Sequence, residues 1–108
     1  MRFEVRVTLA ALADLEETAD WIAQHDDPPR ADHVLERIEA AIGALAAFPA
    51  RGPHPPELLA LGIREYRETF FKPYRIIYRI QSRQVHVYLI ADGRRDMQTL
   101  LARRLLGG

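Results

Sequence analysis

Eight residues, Tyr74-Arg75-Ile76-Ile77-Tyr78-Arg79-Ile80-Gln81, carry the alternation of an extended strand. Tyr74, Ile76, Tyr78 and Ile80 fall on one face, and Arg75, Ile77 and Arg79 on the other, because successive strand side chains point to opposite sides. Only Ser82-Arg83 separates this run from residues 84–91, where Val85, Val87 and Leu89 alternate with His86, Tyr88 and Ile90. A two-residue link joins antiparallel neighbours, so the two runs are expected to form a hairpin. A third run, residues 64–71, precedes them and is cut off by Lys72-Pro73. Residues 2–7 (Arg-Phe-Glu-Val-Arg-Val) alternate in the same way and predict a short first strand.

Between the first strand and the other three the apolar period lengthens to that of a helix. Thr8 is placed to cap a helix whose apolar positions Leu12, Leu15, Ala19 and Ile22 recur at three and four residues. Trp21 lies beside that stripe and is expected to pack within the helical pair. The turn His25-Asp26-Asp27-Pro28-Pro29 should end this helix near Gln24, with Asp27 capping the next. The second helix is expected from about Pro29 to Ala47, with Val34, Ile38, Ile42 and Leu45 inward, Phe48 closing it and Pro49 ending it.

Two such helices on a short link form an antiparallel helical hairpin. Residues 49–57 hold four prolines and are expected to be irregular. A last helix should begin near Arg94–Asp96, with Met97, Leu100, Leu101 and Leu105 inward and Arg103 and Arg104 outward. The order β-α-α-β-β-β-α describes an α+β domain: an N-terminal strand, a helical hairpin packed on an antiparallel sheet, and a C-terminal helix.

The 108 residues suit one domain, residues 1–108. With 48% apolar and 28% charged residues the chain has the composition of a soluble globule. No apolar run is long enough to span a bilayer, and the N-terminus lacks a signal peptide's apolar stretch, so no membrane partner and a cytoplasmic location are expected. Without cysteine there is neither a disulfide nor a thiolate metal site. His25, His33, His54 and His86 fall in different elements, without zinc-ligand spacing, and no glycine loop is built to cradle phosphate; no metal or cofactor is expected. Ser82, the sole serine, sits in a turn and makes a poor nucleophile.

Net charge is zero, yet the two halves differ. Residues 1–48 carry ten acids and four bases, and residues 49–108 carry five acids and eleven bases, all arginine except Lys72. A basic second half fits an acidic or anionic partner, and it fits equally a surface on which the halves neutralise each other. Arg75 and Arg79 share a strand face, and Arg94 and Arg95 arrive just beyond the next strand. If helices cover the Tyr/Ile face, the opposite face is left to meet a partner, where arginines can hold carboxylates in bidentate fashion. Each arginine singly has a plainer reading, a surface ion pair with Glu65, Glu68 or Asp96 worth ~0–1 kcal/mol.

The stretch Lys72-Pro73-Tyr74-Arg75-Ile76-Ile77-Tyr78-Arg79-Ile80, followed by Val85-His86-Val87-Tyr88-Leu89-Ile90-Ala91-Asp92-Gly93-Arg94-Arg95-Asp96, resembles the C-terminal half of RelE/ParE toxins. The strand and helical hairpin before it come in the same order, so the resemblance spans nearly the whole chain. RelE-like members are ribosome-dependent endoribonucleases, and cutting RNA needs positioned acid, base and cationic groups. Arg75 and Arg95 match that branch's two arginines. Its lysine positions hold Tyr66 and Glu68 here, and its C-terminal tyrosine position holds Leu101.

The resemblance therefore implies the ParE-like branch, which poisons DNA gyrase by binding, without catalytic residues of its own. It implies a cognate ParD-like antitoxin whose disordered segment folds along the toxin, with acidic side chains meeting Arg75, Arg79, Arg94 or Arg95. Sequence-specific binding of nucleic acid by the toxin alone is not expected. His86 is read as a hydrogen-bonded or edge histidine in preference to a catalytic base.

Overall fold

The computed structural model describes residues 2–107. Strand β1 spans Glu4–Val7 and is followed by α1, Leu9–His25, and α2, Pro28–Ala44. Both helix starts are fixed by capping side chains that accept from otherwise orphaned amides. The Thr8 hydroxyl accepts from the Ala11 N–H (3.1 Å) and the Asp27 carboxylate from the Arg30 N–H (2.8 Å). After a 3₁₀ turn at Pro49–Arg51 come a short α3, Pro56–Leu59, then β2, Tyr66–Phe71, β3, Tyr74–Gln81, and β4, Gln84–Asp92. Helix α4, Met97–Leu105, is capped by Asp96, which accepts from Thr99 N–H (3.1 Å).

The four strands lie in the order β1-β4-β3-β2. Strands β2, β3 and β4 form the expected antiparallel meander, whereas β1 joins β4 in parallel, Glu4 beside Gln84 and Val7 beside Val87. Ser82 takes a left-handed backbone (φ 56°) in the β3–β4 turn, a geometry that two-residue hairpins favour.

The Tyr/Ile face of β3 carries the main core. Ile76 and Tyr78 pack with Val85, Val87 and Ile90 against Leu15 and Ile22 of α1 and Val34 and Ile38 of α2. The Tyr78 hydroxyl donates to the Pro49 carbonyl and pins the loop after α2 to the sheet. Gly52 passes so close to the Glu68 backbone and the Tyr78 hydroxyl that any Cβ there would collide with both.

Four expectations need correction. Residues 56–59 are helical because proline at a helix's first turn loses no hydrogen bond, so the loop's last proline starts α3. The alternation of β4 breaks: Tyr78 faces Val87 but Ile77 faces Leu89, leaving Tyr88 as the extra residue of a β-bulge. Leu89 is thereby moved off the Val85/Val87 face, and Ile90 takes its place there. Leu12 is 43% exposed and Trp21 61% exposed, since the buried stripe of α1 runs through Ala11, Leu15 and Ile22 instead. Finally, the second sheet face is covered. Leu58 of α3 and Met97 and Leu101 of α4 bury Ile77, Leu89 and Ala91 in a smaller core.

Candidate functional site

The covering of that second face decides what its arginines can do. Arg75 lies under α3 with its side chain only 12% exposed. Its Nη1 and Nη2 donate to the two carboxylate oxygens of Glu57 (2.8 and 2.7 Å), and its Nε donates to Glu68 Oε1 (2.7 Å). Hydrogen bonding from Arg75 holds the Glu57 carboxyl below its ordinary range. Burial pushes the Glu68 carboxyl up, outweighing the arginine beside it. The Glu57 bonds in turn hold the Arg75 guanidinium more firmly protonated than usual. The pairing of Arg75 with Glu68 was open to sequence reasoning; the bidentate grip of Glu57 came with the unexpected α3.

The other three arginines are not gathered with Arg75. Arg79 lies over the Tyr66 ring, 5.9 Å from its centre, and Tyr66 meets Tyr88 edge-on. Arg94 is exposed and donates through Nε and Nη2 to the two Asp92 carboxylate oxygens (3.0 and 2.6 Å). Asp92 is held below its ordinary range by that bond. Arg94 and Arg95 border a cavity of about 430 Å³ set against α1, with Glu17, Trp21 and Tyr74 among its other walls. Of the positions that match the family's nuclease residues, Glu68 is spent on Arg75 and Leu101 is buried. His86 Nε2 bonds to Gln84 Oε1 (3.1 Å), so the histidine is hydrogen-bonded, but it is not at an edge: β4 is paired there on both sides, to Arg6 of β1 and Arg79 of β3.

One constellation had no clear sequence signal. Strand β1 stops opposite Val87, so the outer edge of β4 is unpaired from the bulge onward. Two side chains fill it. Asp14 of α1 accepts from the Ile90 N–H (3.0 Å), and Arg104 of α4 donates to the Tyr88 carbonyl (2.7 Å). The two then bind each other through Nη1 and Nη2 (2.8 and 2.9 Å). Unpaired edge groups beside a bulge need such partners, and here they tie the first helix to the last. Among the described residues no cluster of histidines and carboxylates is arranged for a metal, and no helix is long and apolar enough to cross a membrane.

Residues 5–97, from the first strand to the start of α4, match the family model described as ParE toxin of type II toxin-antitoxin system, parDE. The chain belongs to the ParE toxin family. It is 36% identical over 102 residues to the Sinorhizobium fredii protein Y4kP, which is named as a toxin, covering 93% of this chain and 98% of the relative. It is 28% identical over 91 residues to Toxin ParE3 of Caulobacter vibrioides, covering 84% and 87%.

The fold of this ParE-family toxin is that of the chromosomal ParDE system of P. aeruginosa (TM-score 0.73, 16% identity, 84% of this chain and 96% of that one). It also matches a chain of the RelBE2 toxin-antitoxin complex of Mycobacterium tuberculosis (TM-score 0.59, 26% identity, 85% and 99%). The α+β order read from the sequence is thus that of ParE and RelE toxins, and the chain is the toxin of a type II toxin–antitoxin system.

Proposed function

We propose that this ParE-family toxin arrests growth by binding and poisoning DNA gyrase, performs no catalysis of its own, and is neutralised by a cognate ParD-like antitoxin. The observation that carries this reading is the state of Arg75. A guanidinium that stabilises a cleaving phosphate must be able to meet it. Here all three donors that bond are turned to Glu57 and Glu68, inside the protein. Pulling Arg75 away would strand a buried Glu68 carboxylate, a change that costs several kcal/mol.

Of the four arginines singled out in the sequence, Arg79, Arg94 and Arg95 lie outside the Glu57–Glu68 cluster that holds Arg75, and these three are assigned to a partner. Reversing the charge of Arg79, Arg94 and Arg95 should loosen the antitoxin complex, and unchanged affinity would remove them from its interface. A ribosome-dependent ribonuclease is the second reading, favoured by one feature, an Arg95 without an ion pair among the described residues, beside a cavity large enough for a nucleotide.

Two assays on purified toxin separate the readings. Inhibition of gyrase supercoiling alone supports poisoning, and codon-dependent cleavage of translated mRNA supports the nuclease. Silence in both marks a member that only binds its antitoxin. A short ribbon-helix-helix protein encoded immediately upstream would identify the ParD-like partner.

A further inference from the structure

The 430 Å³ cavity beside Arg95 does not end at Trp21. A second cavity of about 320 Å³ adjoins it, and the two share Trp21, Tyr74 and Arg94 as common walls. Together they form one groove that crosses the turn end of the α1–α2 hairpin and reaches the β2–β3 connection at Lys72 and Pro73. Trp21 stands at its middle, 61% exposed. It is not loosely placed: its ring stacks on His25 at 4.3 Å and 13°, and the His25 Nδ1 bonds to the Trp21 carbonyl (2.9 Å). A large aromatic ring braced in the open, within a groove, is the usual anchor point of a protein interface.

The charges around it are sorted. Arg94 is neutralised by Asp92, Arg30 by Asp26, and Asp14 by Arg104. Two full cations remain without an ion pair or side-chain hydrogen bond among the described residues, Arg95 in the first cavity and Lys72 in the second. Glu17, also without an ion pair among the described residues, lines the first cavity and opposes a second acidic group at that end. A phosphate backbone carries a charge at every residue and would have to pass the uncompensated Glu17, which like-charge repulsion disfavours. A peptide can instead place single carboxylates where the cations stand.

We propose that this groove seats one segment of the antitoxin, with an aliphatic or aromatic side chain on Trp21 and a carboxylate on each side, one to Arg95 and one to Lys72. The assignment rests on the antitoxin reading above, and it names the surface and the chemistry of the segment. A concave groove takes a single helix or extended strand more readily than the flat face of a globular partner.

Trp21 is the only tryptophan in the chain, so it reports on its own groove. Full-length toxin is titrated with purified cognate antitoxin in which any tryptophan has been changed to phenylalanine, reading Trp21 emission and acrylamide quenching. Binding should shift the emission to the blue and cut quenching several-fold. The pair Lys72→Glu and Arg95→Glu should weaken binding about tenfold or more, with a shallower salt dependence. Phe48→Ala, at an equally exposed aromatic outside the groove, should leave affinity unchanged.

A complex that forms while Trp21 stays fully quenchable overturns the groove assignment and leaves the antitoxin reading standing. Failure to form any complex overturns both. A blue shift produced by a single-stranded oligonucleotide, or by concentrating the toxin alone, also overturns the proposal and assigns the groove to nucleic acid or to a second copy.

Discussion

Arg104 and Asp14 stand 90 residues apart in sequence and close the open edge of β4 together, the arginine on the Tyr88 carbonyl and the aspartate on the Ile90 amide. Each side chain satisfies one backbone group and one opposite charge. Bonding to Asp14 holds the Arg104 guanidinium more firmly protonated than usual. The pair is mostly buried, with side chains 26% and 14% exposed, so its loss is felt more than that of a surface ion pair.

Asp14→Ala should therefore speed hydrogen exchange of the Ile90 amide by about tenfold or more and loosen α4, at a cost of about 2 kcal/mol. Native-state exchange read residue by residue checks it. Unchanged protection at Ile90 would show that the edge is held by something else.

The ion cluster under α3 should be structural. Arg75→Met removes the counter-charge of a Glu68 that is 3% exposed, and the cost should be about 3–5 kcal/mol, a fall in melting temperature of roughly 10–20 °C. Restoring neutrality with Glu68→Gln in the same chain should recover part of that loss. A surface role for Arg75 would instead leave melting unchanged.

The same cluster sets a pH dependence. Glu57 has a folded-state carboxyl pKa below its ordinary value, so its contribution is present above the unfolded value and is lost as pH falls through the folded one. Glu68 is shifted up, so it has the opposite sign, and its ionisation costs stability as pH rises through its folded value. Glu57→Gln should thus be less stable than the natural chain at neutral pH and approach it in acid, below the ordinary carboxylate range. Thermal melts between about pH 3 and 7 read this convergence. Parallel curves would mean that Glu57 has no net hold on Arg75.

Ser82 supplies a prediction of opposite direction. A non-glycine residue in the left-handed region carries a cost of about 1–2 kcal/mol. Ser82→Gly removes that cost and adds chain entropy to the unfolded state, for a net gain of up to about 1 kcal/mol. A loss of stability on this change would mean that the serine side chain holds the turn.

What the sequence could show was whatever local chemistry decides. Thr8 and Asp27 cap their helices because a short oxygen-bearing side chain sits one residue before a helical period. Tyr74–Gln81 is a strand at the expected bounds because its alternation is uninterrupted. The bulge at Tyr88 was hidden, since Val85 to Ile90 is a run made mostly of β-branched and aromatic residues and nothing local marks where register slips. The parallel seat of β1 is likewise a tertiary outcome.

At the candidate site the same division holds. Arg75 was visible as a residue on the right face, but its engagement depends on α3 bringing Glu57 to it across 18 residues. Trp21 could have been read as exposed, because it lies off the line from Leu15 to Ile22 that the core uses.

The most direct test of a toxin that grips a protein instead of cutting RNA is the yield of cleaved plasmid covalently linked to gyrase when purified toxin is added with ATP. Gyrase poisoning predicts that these complexes accumulate with toxin concentration and disappear when the antitoxin is added in equal amount. Plasmid supercoiled normally at every toxin concentration, by a preparation that cuts mRNA on translating ribosomes, would contradict it.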